Sequence, residues 1–425
     1  MNLNRRAAIL GGQRTPFVKS FTSYQKLTNQ DLMTAALSGL VSHFRLKGQR
    51  LGDVALGSVI KNSSDWNLAR ESVLGCGLDA HTPAYDVQRA CGTSLETAWQ
   101  IGLKISAGQI DVGIAGGSDT NSDLPVMLPR KFARVLLDAR NAKGMAAKLK
   151  VFSSFRPHHF KLQFPGVVEP RTGLSMGDHC EKMVKEWKIS RRDQDELAYR
   201  SHQNAAKAYA EGFFADQLCE VAGIKKDGFV RADTSVEKLA KLKPAFDFSG
   251  AGTLTAGNST PLTDGAAAVL MSSEDYAKQK NLKPLAFLKD VEVAAVDFVE
   301  AGEGLLMAPT IAVSRLLDRN QLKLQDFDFY EIHEAFAGQV LCTLRAWEST
   351  DYCKSKIQRN EALGSIDLLK MNIKGGSLAI GHPFGATGAR TVMTMAKLLD
   401  QKGSGRGLIS ICTGGGMGIA AILER

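Results

Sequence analysis

The chain has 425 residues, a hydrophobic fraction of 44% and a charged fraction of 23%. That is the balance of a globular enzyme of two or three domains, not of a disordered or fibrous chain. No stretch reaches the roughly 18 apolar residues of a membrane span. The seven cysteines are odd in number, scattered and without a CxxC pair, which argues against a disulfide framework or a zinc site and for a reducing, cytoplasmic compartment. The formal net charge of +9 suits an anionic partner, and its placement along the chain must say which.

Residues 7–10 read as a first strand. They follow the initial Met so closely that no targeting segment is expected. Residues 11–17 read as a turn-rich loop. Thr28 and Asp31 form a capping pair ahead of a helix whose Leu32, Met33, Ala36, Leu37, Leu40, Val41 and Phe44 make one apolar stripe. Residues 53–60 read as a buried strand, 68–73 as helical and 84–87 as extended. Then comes Val-Gln-Arg-Ala-Cys-Gly-Thr-Ser, residues 87–94, leading into a helix with Leu95, Ala98, Ile101 and Ile105 on one face. Cys91 thus lies at or just before a helix N-terminus, where free N–H groups and the dipole favour the nucleophilic thiolate. The competing reading is a small cysteine packed in a core.

Residues 111–119 read as a strand ending in a glycine turn. From 124 to 164 the chain turns basic: Arg130, Lys131, Arg134, Arg140, Lys143, Lys148, Lys150, Arg156 and Lys161 are opposed only by Asp138. Apolar residues are interleaved, so the stretch is either a solvated face or a surface for a phosphate-rich ligand, a membrane or an acidic partner. No nucleic-acid motif accompanies it, and no nucleic-acid partner is expected. Residues 177–212 read as helical with Ser190 as a cap, and 241–248 as irregular. Residues 252–265 form a glycine- and hydroxyl-rich loop, feeding an apolar run, 266–271.

The second half repeats the first. A helix at 309–317 precedes a strand at 326–332, and a glycine-started helix at 385–399 precedes the strand region 403–416. Two α/β halves of βαβ type follow, packed about a pseudo-twofold axis. That packing sets Cys91 opposite Gly381-His-Pro383 and near Cys412. His382 is then the natural base for a Cys91 nucleophile. Cys412 can shuttle a proton or pack in the core, and the N–H groups of the turn at 413–416 can form an anion hole.

Five motifs in order carry a family resemblance: the Cys91 elbow, Thr255-Ala-Gly-Asn258, His333-Glu-Ala-Phe336, Gly381-His-Pro383 and Cys412-Thr-Gly414. Over nearly the whole chain the sequence resembles the thiolases. The resemblance implies an α/β fold of two pseudo-repeated halves with layered mixed sheets in a five-layered core, plus an inserted helical loop domain. The boundaries expected are 1–123 completed by 246–283 for the N-terminal half, 124–245 for the insert and 284–425 for the C-terminal half. It implies coenzyme A as substrate and acyl carrier, no other cofactor and no metal. By the same resemblance Cys91 is the nucleophile that takes the acyl group as a thioester, and His382 its base. Cys412 is the second acid/base, the N–H groups of Cys91 and Gly414 form the oxyanion hole, and His382 and His333 stabilise the thioester enolate. Met176 falls near the acyl pocket and Thr260 by the pantetheine arm, and Asn258 is a further substrate-binding residue.

His333 stands where most thiolases carry Asn. In this the chain resembles the long-chain 3-ketoacyl-CoA thiolases that form the beta subunit of the fatty-acid oxidation trifunctional complex. Gly92 departs from the commoner Ser or Ala. The activity implied is cleavage of 3-ketoacyl-CoA by CoA in beta-oxidation. Short-chain acetyl-CoA C-acetyltransferase and, further off, a non-catalytic lipid-binding protein are the alternatives. A homodimer or homotetramer, a hydratase/dehydrogenase alpha subunit as partner and peripheral membrane contact through the basic insert are the further expectations.

Overall fold

The computed structural model describes residues 5–153, 155–156 and 161–425. The first four residues and part of the basic stretch, 154 and 157–160, lie outside them. Among the described residues ten strands are joined in one sheet system. They are β1 (Ala7–Arg14), β2 (Val18–Lys19), β3 (Asp53–Leu56), β4 (Ala84–Asp86), β5 (Val112–Asp119), β6 (Thr263–Ser273), β7 (Ala286–Ala295), β8 (Phe329–Ile332), β9 (Arg406–Thr413) and β10 (Met417–Glu424).

The internal repeat is visible in the pairing. In the first half the order is β4-β3-β5-β6-β1, with β4, β3 and β5 parallel and β6 and β1 antiparallel to their neighbours. In the second half β8 and β9 are parallel, and β10 and β7 continue antiparallel. A parallel bridge from Met371 to Tyr330 stands beside β8 where β4 stands beside β3. The first three residues of β1 pair with β7 and join the two halves.

The layers follow from strand alternation. On β1, β5 and β6 the residues Ala8, Leu10, Ile114, Ala268 and Leu270 face the helix Asn29–His43. Their neighbours Ala7, Ile9, Ala115, Val269 and Met271 face the opposite way. There they meet two helices, Thr93–Ser106 and Thr387–Lys402, which pack on each other through Leu95, Ala98, Ala389 and Val392. In the second half Ile409, Ile411, Ile419 and Ala421 face this same central pair, while Leu408, Ala420 and Ile422 face the helix Ala308–Asn320. The result is helix, sheet, helix pair, sheet, helix. Strands buried on both faces read as continuous apolar runs, and this is why residues 266–271 of β6 are all apolar.

Most expected elements are present, with changed ends. The capping box of Thr28 and Asp31 forms, and Ser190 caps the helix Arg191–Ala210 by accepting from Asp193 N. The turn expected at 11–17 is instead strand as far as Arg14. Gly11, at φ +139°, absorbs a bulge while the strand stays paired to β6. The strand expected at 53–60 stops at Leu56, because Asp119 takes the N–H groups of Val59 and Ile60. The glycine turn expected near 116–117 is paired strand. A Cβ on Gly117 would lie 2.4 Å from the carbonyl oxygen of Gly385 and 2.8 Å from that of Gly57. Both obstacles are backbone. Gly117→Ala is therefore expected to lower stability by about 1–3 kcal/mol or more, read as a fall in melting temperature, because it wedges the halves apart.

Candidate active site

Between β4 and the helix Thr93–Ser106 the chain makes a tight elbow. Ala90 is held at φ +42°, a left-handed conformation that few non-glycine residues adopt. Thr93 fastens the turn: its hydroxyl donates to the Ala90 carbonyl at 2.7 Å and accepts from Arg89 N at 2.9 Å. Cys91 sits at the apex, one residue before the helix N-cap Gly92. A side chain on Gly92 would meet Ile419 Cγ2 at 2.7 Å, so the elbow is seated directly on β10.

Two histidines from the second half converge on it. His333 follows β8, its N–H bonded to Ser410 O at 2.8 Å. His382 follows Gly381, which takes φ +105° beneath the Phe229 ring. The two imidazoles lie 4.1 Å apart between centroids. Each is oriented through Nδ1, to Ser377 Oγ at 2.8 Å for His333 and to Thr387 Oγ1 at 2.6 Å for His382. Both Nε2 atoms are buried without a hydrogen-bond partner among the described residues. One ring nitrogen from each histidine and Cys91 Sγ all lie within 4.8 Å of one another.

The electrostatics correct one expectation. Burial pushes the Cys91 thiol up to about 12, against the opposing pull of the Gly414 and Cys91 N–H groups. The residue retains partial access, but the thiol's surroundings are desolvated, and desolvation outweighs the helix terminus. His382 is pushed down to about 3 by burial and then by the charge of Arg390. His333 is held well below its usual range by burial, then by His382 and Arg390. At rest the site is a neutral thiol beside two neutral imidazoles, and Cys91 needs a proton acceptor rather than a dipole.

These histidines set an acid limit on stability. Between about pH 6.5 and pH 3 the unfolded chain binds protons that the folded His382 refuses, so stability falls as pH falls through that window. The expected loss is several kcal/mol at the acid end. Urea titrations at stepped pH check this, and His382→Asn should flatten the slope.

Cys412 closes β9, fully buried, its thiol raised well above the usual value by burial and then by Cys91. The turn beyond it offers N–H groups to the elbow. Glu169 Oε1 already accepts from Gly415 N at 2.6 Å, which leaves the Gly414 N–H directed at Cys91. Met176 Sδ lies 3.8 Å from where a Cβ on Gly414 would sit, so Met176 borders the site.

Two residues expected to bind substrate also have partners within the protein. Asn258 is fully buried, and its amide bonds to Asp195 Oδ1 and to the Thr253 carbonyl while its oxygen accepts from Thr255 N. It braces the loop through both its amide nitrogen and its oxygen. Thr260 donates through Oγ1 to the Ala335 carbonyl at 3.0 Å, tying that loop to the His333 segment. Two carboxylates were not singled out in the sequence. Asp119 accepts from Val59, Ile60 and Gly385, joining both halves next to His382. Glu169 sits in a loop, and no local pattern marks it. Glu334, inside the His333 motif, anchors that segment through Ser201, Asn372 and Leu378 N.

With this geometry in hand, comparison with known proteins is decisive. Residues 7–275 match the N-terminal thiolase domain and 282–425 the C-terminal thiolase domain. The chain belongs to the thiolase family. It is 41% identical to 3-ketoacyl-CoA thiolases of Yersinia pestis and Yersinia pseudotuberculosis, over 99% of this chain and 97% of theirs. Among solved structures, it resembles a Bacillus anthracis acetyl-CoA acetyltransferase with a TM-score of 0.81 and 29% identity, over 100% of both chains. It also resembles human mitochondrial 3-ketoacyl-CoA thiolase in complex with CoA, with a TM-score of 0.82 and 28% identity, over 100% of this chain and 98% of that one. The five-layered arrangement of two halves is therefore that of a thiolase, and the Cys91 centre is built by both family domains.

Proposed function

We propose that this thiolase is a 3-ketoacyl-CoA thiolase of fatty-acid beta-oxidation, an acyltransferase that uses coenzyme A as substrate and needs no further cofactor. The observation that carries the reading is the meeting of Cys91 with one ring nitrogen each of His333 and His382, in desolvated surroundings. His382 takes the Cys91 proton as Sγ attacks the 3-keto carbon. The N–H groups of Cys91 and Gly414 hold the oxyanion. The bond between C2 and C3 breaks, leaving the acyl group on Cys91 and an acetyl-CoA enolate stabilised by His333 and His382. Cys412 protonates that enolate, then receives the proton of an incoming CoA thiol. The CoA sulfur attacks the thioester, releases the shortened acyl-CoA, and Cys91 recovers its proton from His382.

His333 favours the long-chain, trifunctional-complex type over the short-chain acetyl-CoA acetyltransferase. The basic insert supports a partner subunit or membrane surface. Its helices Arg130–Asn141 and Met145–Ser153 leave Leu136, Leu137, Met145, Leu149 and Phe152 exposed among cations. A homodimer or homotetramer in the cytoplasm, with segment 124–245 as the loop domain, completes the reading. No helix among the described residues is long and apolar enough to cross a membrane.

The test is thiolysis across 3-ketoacyl-CoAs of four to sixteen acyl carbons with free CoA. We expect turnover that favours medium and long chains. Activity confined to four carbons would replace the reading by the acetyltransferase. No thiolysis by folded protein would leave a thiolase-like binding protein.

A further inference from the structure

The geometry points to a second capacity of this centre: Cys91, His333 and His382 form a three-ligand site for a soft divalent cation of the zinc class, and filling it shuts the enzyme off. The cation site shares its residues with the acyl-transfer reading and does not depend on it, whereas the shut-off rests on that reading. No sequence spacing suggests a cation, since the ligands come from the elbow, the end of β8 and the Gly381 turn. Only the packing of the two halves brings them together.

Four observations support the site. First, a thiol sulfur and two imidazole nitrogens lie within 4.8 Å of one another. A tetrahedral zinc-type ion holds such atoms about 3.3–3.6 Å apart, so a contraction of about an ångström encloses it. Second, both Nε2 atoms are buried without a partner among the described residues, so neither nitrogen is committed to another group. Third, each Nδ1 is held by a hydroxyl, Ser377 or Thr387. Metal-bound histidines are oriented in this manner, through an outer partner on the other nitrogen. Fourth, Cys91 keeps partial solvent access as a residue, which gives an entry path. One charge opposes a cation: Arg390, whose Nη2 lies 3.2 Å from Ser377 Oγ. Glu331, 3.5 Å from Nη1, offsets it.

The donor set fixes the class of ion. One thiolate and two imidazoles suit zinc and cobalt and not magnesium or calcium, which take oxygen ligands. On binding, the S–H bond breaks, a sulfur–metal bond forms and one proton leaves to solvent. The nucleophile and both imidazole lone pairs are then occupied. His333 is the residue that makes this possible: an asparagine there would leave two ligands.

The test is a titration of the free, full-length protein with Co²⁺, followed by absorption. We expect one equivalent to bind with a thiolate-to-cobalt charge-transfer band in the near ultraviolet and strong four-coordinate visible bands. Cys91→Ser should lose the charge-transfer band, and His333→Asn should weaken binding by about tenfold or more. Wild type alkylated at Cys91 with iodoacetamide repeats the control without a substitution, should a variant fail to fold. Absence of the band at millimolar Co²⁺, or a band unchanged in the variants and the alkylated protein, overturns the inference. Thiolysis with no cobalt spectrum sinks this inference alone, whereas a cobalt spectrum without thiolysis sinks only the proposed activity.

Discussion

Cys91→Ala is expected to lower thiolysis by about 10⁴-fold or more, the scale seen when a catalytic nucleophile is removed. It should also abolish the acyl adduct that intact mass reveals after brief exposure to an acyl-CoA. The fold should survive. The elbow is fastened by Thr93 and the backbone of Arg89 and Gly92, none of which uses the Cys91 side chain. An adduct of unchanged mass and rate in the variant would move the nucleophile elsewhere, with Cys412 the next residue to test. The neutral resting thiol makes the comparison clean, because little background reactivity comes from an ionised sulfur.

His382→Asn is expected to slow acylation by about 10²–10⁴-fold, the range of general-base catalysis. Its pH profile carries the sharper information. With the thiol near about 12 and the imidazole near about 3, neither group titrates between those limits. Acylation of the wild type should therefore be flat from about pH 6 to pH 9. In a His382→Asn, His333→Asn double variant only solvent can remove the thiol proton, and the rate should climb about tenfold per pH unit. A wild-type rate that rises steeply with pH would mean that Cys91 ionises on its own and that His382 serves only to position it. Stopped-flow acylation across the pH range separates the two.

Much of this molecule can be read from its residues, for identifiable reasons. The amphipathic helix with Leu32, Ala36 and Leu40, and the aliphatic run of β6, follow their periodicities because burial on one or both faces dictates them. The catalytic groups carry local marks: a cysteine before a helix and a histidine among glycines. The roles of Asp119 and Glu169 carry none. Each is defined by backbone N–H groups distant in sequence, Gly385 for one and Gly415 for the other. The same cause misplaced the glycines at 116–117. They look like a turn until the second half arrives to press against them. The raised Cys91 thiol was hidden likewise, since a helix N-terminus is local and desolvation is not. Asn258 shows a further non-local role: a motif residue whose side chain holds together the loop it organises.

The joining of the halves has a consequence for how the polypeptide matures. Cys91 emerges early in synthesis, while His333, His382 and Gly414 are made last. Until β9 and β10 close beside β7, the elbow has no base, no Gly414 N–H to complete the oxyanion hole and no Ile419 to seat it. A half-finished chain therefore carries an ordinary, unactivated thiol. Reactivity is conferred in the same event that completes the sheet, so the protein cannot be chemically armed before it is whole.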